Sequence, residues 1–196
     1  IIYTLYRVTK PLVNTLKLFL PKQNTKELHH LEEDDFIILA EEQTETGHLH
    51  ETELELIKNV FEMDDTSVET LSTPIRKIIT IPSHFTLEQA AQVVLKEKML
   101  SRIPIHGKNK DEIVGVLNTK DLIETKVKPE TKSDSVMTIA KEPLIVSHVT
   151  HLDNLFRKMK SKKVQVAFIK NQHQKITGMI SLQDILETLI EEAFEE

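Results

Sequence analysis

A mixed α/β (α+β) fold made of two similar small units behind a helical connector is what this sequence predicts. Three observations point there. The stretch GVLNTKDLIE at 115–124 recurs as GMISLQDILE at 178–187, an offset of 63 that aligns Gly115 with Gly178, Asp121 with Asp184 and Glu124 with Glu187. From Val68 onward, short β-branched runs alternate with helical patterns, whereas the apolar spacing before Val68 is helical throughout. The 196 residues, 39% hydrophobic and 29% charged, suffice for one ordinary core or two half-sized ones and exclude a low-complexity disordered chain. The absence of cysteine removes disulfides, thiolate metal sites and cysteine nucleophiles together, and fits a reducing compartment.

The first element is basic. Ile1, Leu5, Val8, Leu12, Leu16 and Phe19 recur at spacings of three and four, which predicts an amphipathic helix. Arg7, Lys10, Lys17, Lys22 and Lys26 meet no acid before Glu27, so residues 1–26 carry +5 of a net charge of −6 and leave −11 on the rest. A cationic apolar helix suits an anionic membrane face or the inner flank of a membrane span; an ordinary docking helix has the same pattern. The start at Ile1 suggests a longer parent chain, and no window reaches the roughly 18 apolar residues of a membrane span. An acidic body lacks the cationic surface that nucleic acid requires.

Two helical patterns follow. LEEDDFIILAEEQTETG ends at Gly47, a C-terminal cap, and in ETELELIKNVFEMDD the positions Leu54, Ile57, Val60 and Phe61 form a stripe. The acids Glu32, Glu33, Glu51, Glu53 and Glu55 read as a solvated face. Each unit then starts with an apolar strand (IRKIITI; PLIVSHV) and a helix opened at capping-box spacing by Thr86 with Gln89 or Thr150 with Asp153. Two strands come next, RIPIHG with EIVGVL and VQVAFI with KITGMI, the latter pair joined by the turn NQHQ, and a short helix closes the unit. A unit of about 60 residues is marginal alone, so the copies are expected to pack sheet to sheet.

Ser181 ends an apolar strand and begins a helix, so its hydroxyl and the free amides of the first turn face a place where a phosphate could sit. Asp184 could accept both ribose hydroxyls, although Ser-x-x-Asp before an apolar run also serves as a plain capping box. The equivalent positions in the first unit are Asn118 and Asp121, without the hydroxyl. Arg102 could bind phosphate oxygens bidentately or form a surface ion pair. Glycine occurs only at 47, 107, 115 and 178, which excludes GxGxxG and Walker loops and a nucleophile elbow. His48 with His50, and His148 with His151, have ligand-like spacing without a complete zinc set, and no spacing singles out a catalytic triad. No catalytic residue and no metal site made by protein alone is assigned.

LIKNVFEMDDTSVETLSTP, SRIPIHG, DEIVGVLNTKDL and GMISLQDILE, together with the acidic flank, resemble the paired cystathionine-β-synthase (CBS) domain of the CorC/HlyC and cyclin-M group of membrane proteins linked to magnesium and cobalt transport. The resemblance spans residues 30–191. It implies a tandem CBS pair with an N-terminal helical connector, divided as a membrane-proximal helix (1–30), a connector (31–66), a first unit (67–128) and a second unit (129–196). It further implies a nucleotide-sensing regulatory domain at the cytoplasmic face of the membrane, serving its own transmembrane domain and forming a homodimer. The ligand would be ATP or another adenine nucleotide, with Mg²⁺ carried on its phosphates. Thr73 and Pro74 match the family's Met-Thr-Pro motif with Ser72 in place of methionine, and Arg102 matches a phosphate contact. The nucleotide-binding set is then Thr73, Pro74, Arg102, Pro104, Ser181 and Asp184, with Asn118 and Asp121 as a possible second site. Ile75 and Leu100 depart from the family, the latter where an aromatic or histidine is common. Two other readings remain at this stage: a ligand-free dimerisation module, and a haemolysin-like membrane-active protein.

Overall fold

The structure, a computed structural model, describes residues 33–97, 100–126 and 133–194. The amphipathic opening expected at 1–20 lies outside them. The chain divides into two compact units, 1–39 and 40–196. Described residues 33–39 of the first begin helix α1 (Glu33–Glu45), whose first turn collects Glu33, Asp34 and Asp35 at the positive end of the helix dipole. Gly47 ends the helix as expected: at φ +75° its N–H donates to Thr44 O (3.0 Å), and the next N–H, of His48, to Gln43 O (2.9 Å).

Helix α2 (Glu51–Asp65) is rotated from the expected stripe. It buries Leu54, Asn59 and Met63 and leaves Val60 57% exposed. Asn59 explains the rotation, because its buried Nδ2 donates to Leu189 O (3.1 Å) and a buried amide without a partner is costly. A short helix α3 (Val68–Leu71) and strand β1 (Thr73–Pro74) lead to a 3₁₀ turn at Ile75–Lys77 and to strand β2 (Ile81–Pro82). The run 75–81 is therefore not the strand its composition suggests. Pro74 and Pro82 cannot donate to a ladder, and only the end of the run pairs.

The first repeat continues as α4 (Leu87–Lys96), β3 (Arg102–His106), β4 (Ile113–Asn118) and α5 (Thr119–Lys126). After a 3₁₀ turn at Val136–Thr138, the second comprises β5 (Leu144–Ser147), α6 (Leu152–Lys162), β6 (Val166–Lys170), β7 (Ile176–Ser181) and α7 (Leu182–Phe194). Thr86 and Gln89 form the expected capping box, at 3.3 and 3.0 Å. The one expected at Thr150 and Asp153 does not form. His151 is the N-cap of α6, the Leu152 N–H donates to Thr66 O (3.0 Å), and Asp153 pairs with Arg157 (3.3 Å).

Two sheets result, ordered β2-β3-β4 and β1-β7-β6-β5. In each, a parallel pair (β2 with β3, β5 with β6) adjoins an antiparallel hairpin (β3 with β4, β6 with β7). Both hairpins carry a bulge, where the register shifts between Ile105 and His106 and between Ile169 and Lys170. A bulge reverses the side-chain alternation, so Ile113 joins Val116, and Ile176 joins Met179, on one face. With Val166 and Phe168 these residues form the seam between the two repeats. The opposite faces of the sheets build separate cores, one around Ile103, Ile105 and Leu117 and one around Ala167, Ile169 and Ile180.

Each repeat borrows a segment from outside itself. Ser67 bridges to His151, and Val68, fully buried, belongs to the core of the second repeat. Ser135 bridges likewise to Thr86, and Val136 lies in the core of the first. The borrowed segments end on the hairpins, Thr73 and Pro74 opposite Met179 and Gly178, and Lys141 opposite Val116. Their close approach accounts for the aligned glycines. A Cβ at Gly178 would lie 2.8 Å from Ser72 Oγ, and one at Gly115 would lie 3.1 Å from the Ala140 Cβ.

Candidate functional site

Pairing of β1 with β7 brings Thr73 and Pro74 beside the strand that ends at Ser181, immediately before α7. The Asp184 N–H donates to Ser181 Oγ (3.1 Å) and the Ser181 N–H to Asp184 Oδ2 (2.8 Å), so the two residues form a reciprocal cap. Ser181 and Asp184 are half-buried and Thr73 is exposed. The cap fixes the carboxylate and the hydroxyl at the helix N-terminus, where the first-turn amides favour an anion.

Arg102 and Pro104 belong to β3 in the other sheet. Pro104 is buried; Arg102 is half-buried and makes no ion pair among the described residues. Arg102 lies opposite Asn118 in the β3–β4 ladder and lines a cavity of about 140 Å³ with Asn118, Lys141, Lys163, Gln165 and Val166. Val166 is the ladder partner of Ser181, and the Gln165 carbonyl accepts the Leu182 N–H (2.9 Å). The Gln165–Val166 step thus joins the Ser181 corner to the arginine. Thr73, Pro74, Ser181 and Asp184 form one group; no hydrogen bond or ion pair links them to Arg102 among the described residues.

The first repeat is built differently at the matching place. Asn118 Oδ1 accepts the Lys120 N–H (3.1 Å), Thr119 Oγ1 donates to Leu100 O, and Asp121 Oδ2 ion-pairs with Lys141 Nζ at 2.8 Å. Lys141 stands opposite Val116, as Thr73 stands opposite Met179, the residue 63 positions after Val116. Sequence reasoning passed over Lys141, because its partner lies across a segment whose return to the first sheet has no local signature. Leu100, where a ring is common, packs against the core of the first repeat. Of the histidine pairs, His148 Nδ1 lies 3.4 Å from Glu69 Oε2 and His151 occupies the N-cap position of α6 without a side-chain cap bond; no group of three His, Asp or Glu able to hold a metal occurs among the described residues.

The profile of the CBS domain matches residues 68–128 and 134–191. The UPF0053 protein YhdP of Bacillus subtilis is 26% identical over 97% of this chain and 45% of its own length. Hemolysin C of Brachyspira hyodysenteriae is 30% identical over 72% of this chain and 51% of its own. The chain thus spans about half the length of these relatives. The CBS domain of a bacterial CNNM/CorC family Mg²⁺ transporter superposes with a TM-score of 0.76 at 25% identity, over 81% of this chain and 96% of that one. That transporter's CBS domain is also solved in complex with ATP, at a TM-score of 0.66 and 26% identity, over 69% of this chain and 95% of that one. Matching profile, paired hairpins and exchanged segments agree: this chain belongs to the CBS-domain family, as a tandem pair of the kind found in CNNM/CorC transporters.

Proposed function

We propose that this CBS pair is a regulatory sensor of Mg²⁺-ATP, or of a related adenine nucleotide, at the cytoplasmic face of a membrane protein for divalent-cation transport. The observation that carries the reading is the corner where Thr73 and Pro74 lie against β7 beside the Ser181–Asp184 cap. There Asp184 would hold the ribose hydroxyls and the amides of α7 a phosphate, with Thr73 and Pro74 along one wall and Arg102 and Pro104 along the other. The ATP complex of the CNNM/CorC relative supports the ligand class. Mg²⁺ would sit on the phosphates, since it binds through substrate phosphates and water more readily than through an all-protein cage. Binding would shift the pair between conformations and move the connector helices against the transmembrane part.

Calorimetric titration with ATP, ADP and AMP, each with millimolar Mg²⁺ and with excess chelator, tests this. Arg102 alone cannot offset a triphosphate in an acidic body, so ATP should bind at least about tenfold more weakly in chelator, a difference of about 1.4 kcal/mol. Equal affinity in both would remove the role of magnesium. One observation favours a second reading: Ser181 and Asp184 already satisfy each other, as a purely structural dimerisation module would require. In that case no nucleotide changes the melting temperature.

A further inference from the structure

We propose that the crossing of residues 64–69 onto the second repeat is a proton-sensitive latch, which grips as protons bind and loosens as they leave. Its backbone frame is the Val68 N–H on Thr150 O (2.8 Å), the Leu152 N–H on Thr66 O (3.0 Å) and the bridge of Ser67 with His151. The first repeat is crossed on the same frame: the Val136 N–H donates to Phe85 O (2.8 Å), the Leu87 N–H to Asp134 O (2.9 Å), and Ser135 bridges to Thr86. The two crossings differ in the charges beside the frame.

Downstream of Val68, His148 Nδ1 lies 3.4 Å from Glu69 Oε2, and a protonated imidazole attracts that carboxylate where a neutral one does not. Ser83 and Met137 hold the matching places in the first repeat, so this pair has no counterpart there. Upstream, Asp64 in the last turn of α2 stands against Asp153 in the first turn of α6, and the two carboxyls can share a hydrogen bond only through a proton. Asp153 Oδ2 pairs with Arg157 (3.3 Å), whereas its covered Oδ1 accepts no hydrogen bond among the described residues. Asp65 adds a like charge, which Arg157 offsets in part, and the last turn of α2, at the negative end of its dipole, holds no basic residue. Other charged groups nearby are engaged elsewhere. Lys170, whose carbonyl accepts the His148 N–H, donates its Nζ to Gln174, and on α7 Asp184 accepts from Ser181 and Glu187 from Gln183. The remaining groups of the crossing, Glu62 and the His151 imidazole, are exposed. Proton uptake thus favours the docked crossing at both ends, relieving repulsion upstream and making an ion pair downstream, and docking must in return favour the proton. Strand β1, with Thr73 and Pro74, follows the latch directly.

Hydrogen exchange of the full chain, read by NMR from about pH 5.5 to about pH 8 and corrected for the intrinsic rate of each amide, gives the opening constant at both crossings. Opening at Val68 and Leu152 should rise about threefold with pH, the size expected of an exposed charge pair, while Val136 and Leu87 hold constant. His148→Gln and Asp64→Asn should each flatten part of the rise, and the double variant all of it. Glu69→Gln, at an exposed position, takes the place of His148→Gln should that variant fail to fold. No rise, a rise equal at both crossings, or a rise that survives the double variant overturns the latch. The latch does not rest on nucleotide sensing: a chain that binds neither ATP nor AMP would lose that reading and keep its pH-dependent opening.

Discussion

The N–H of Val68 donates to the carbonyl of Thr150 at 2.8 Å, tying the start of the first repeat into the second. Val68 is fully buried there among Leu152, Leu155 and Ile180. Val68→Ala should cost about 2 kcal/mol, since a buried aliphatic loses its transfer energy and leaves a cavity. Amide exchange should rise more in β5, β6 and β7 than in β2, β3 and β4. Equal loosening of both sheets, or loosening confined to the first, would contradict the exchanged segment.

Asp184→Asn keeps an acceptor for the Ser181 N–H while deleting the charge, which separates binding from capping. With Arg102→Ala, it should weaken nucleotide binding by about 1.5–3 kcal/mol, roughly ten- to a hundredfold, with melting little changed. Asp121→Ala and Asn118→Ala serve as controls in calorimetry. Four variants that bind alike would dismiss the corner as the nucleotide site.

Of the paired apolar positions on the closing helices, Leu122 and Ile185 are buried, while Ile123 is 57% and Leu186 40% exposed. Exposed apolar residues on both repeats suit a second copy of the chain. Sedimentation equilibrium should show a dimer, and Ile123→Asp combined with Leu186→Asp should shift it to monomer. A wild-type chain that stays monomeric at high concentration would rule out this contact.

Asp64 has its carboxyl pKa held above the ordinary 3.8, first by loss of water and then by the neighbouring Asp153 carboxylate, with Arg157 opposing. A raised carboxyl pKa means that the folded chain binds the proton more tightly than the unfolded one. The contribution to stability is present below the ordinary value and is lost as pH rises through the raised one. Asp64→Asn should therefore raise the melting temperature at neutral pH, with the gain fading towards about pH 3. An equal gain at both pH values would mean that charge is not the cause.

Helices α4 and α6, the strand pairs of the two hairpins and the strand-to-helix corner at Ser181 are legible in the amino-acid pattern, whereas the bulges are not. Each rests on contacts between residues near in the chain: apolar periodicity, β-branched alternation, or a hydroxyl three residues before an acid. The repeat also marks Gly115 and Gly178. Their reason, the close passage of Ser72 and Ala140, is visible only in the fold.

What the pattern does not contain is the exchange of segments. Thr73 reaches β7, and Lys141 reaches β4 and then Asp121, through backbone pairing, whose hydrogen bonds are available to any sequence of side chains. The outward turn of Val60 has a similar origin, because the carbonyl that Asn59 meets belongs to Leu189, 130 residues away. Local sequence thus settles which elements form and which residues sit at their ends, since those energies are short-ranged. Which of the aligned aspartates meets a lysine, Asp121 rather than Asp184, depends on the packing of distant segments, because an ion pair or buried amide acquires its partner only when the chain closes on itself.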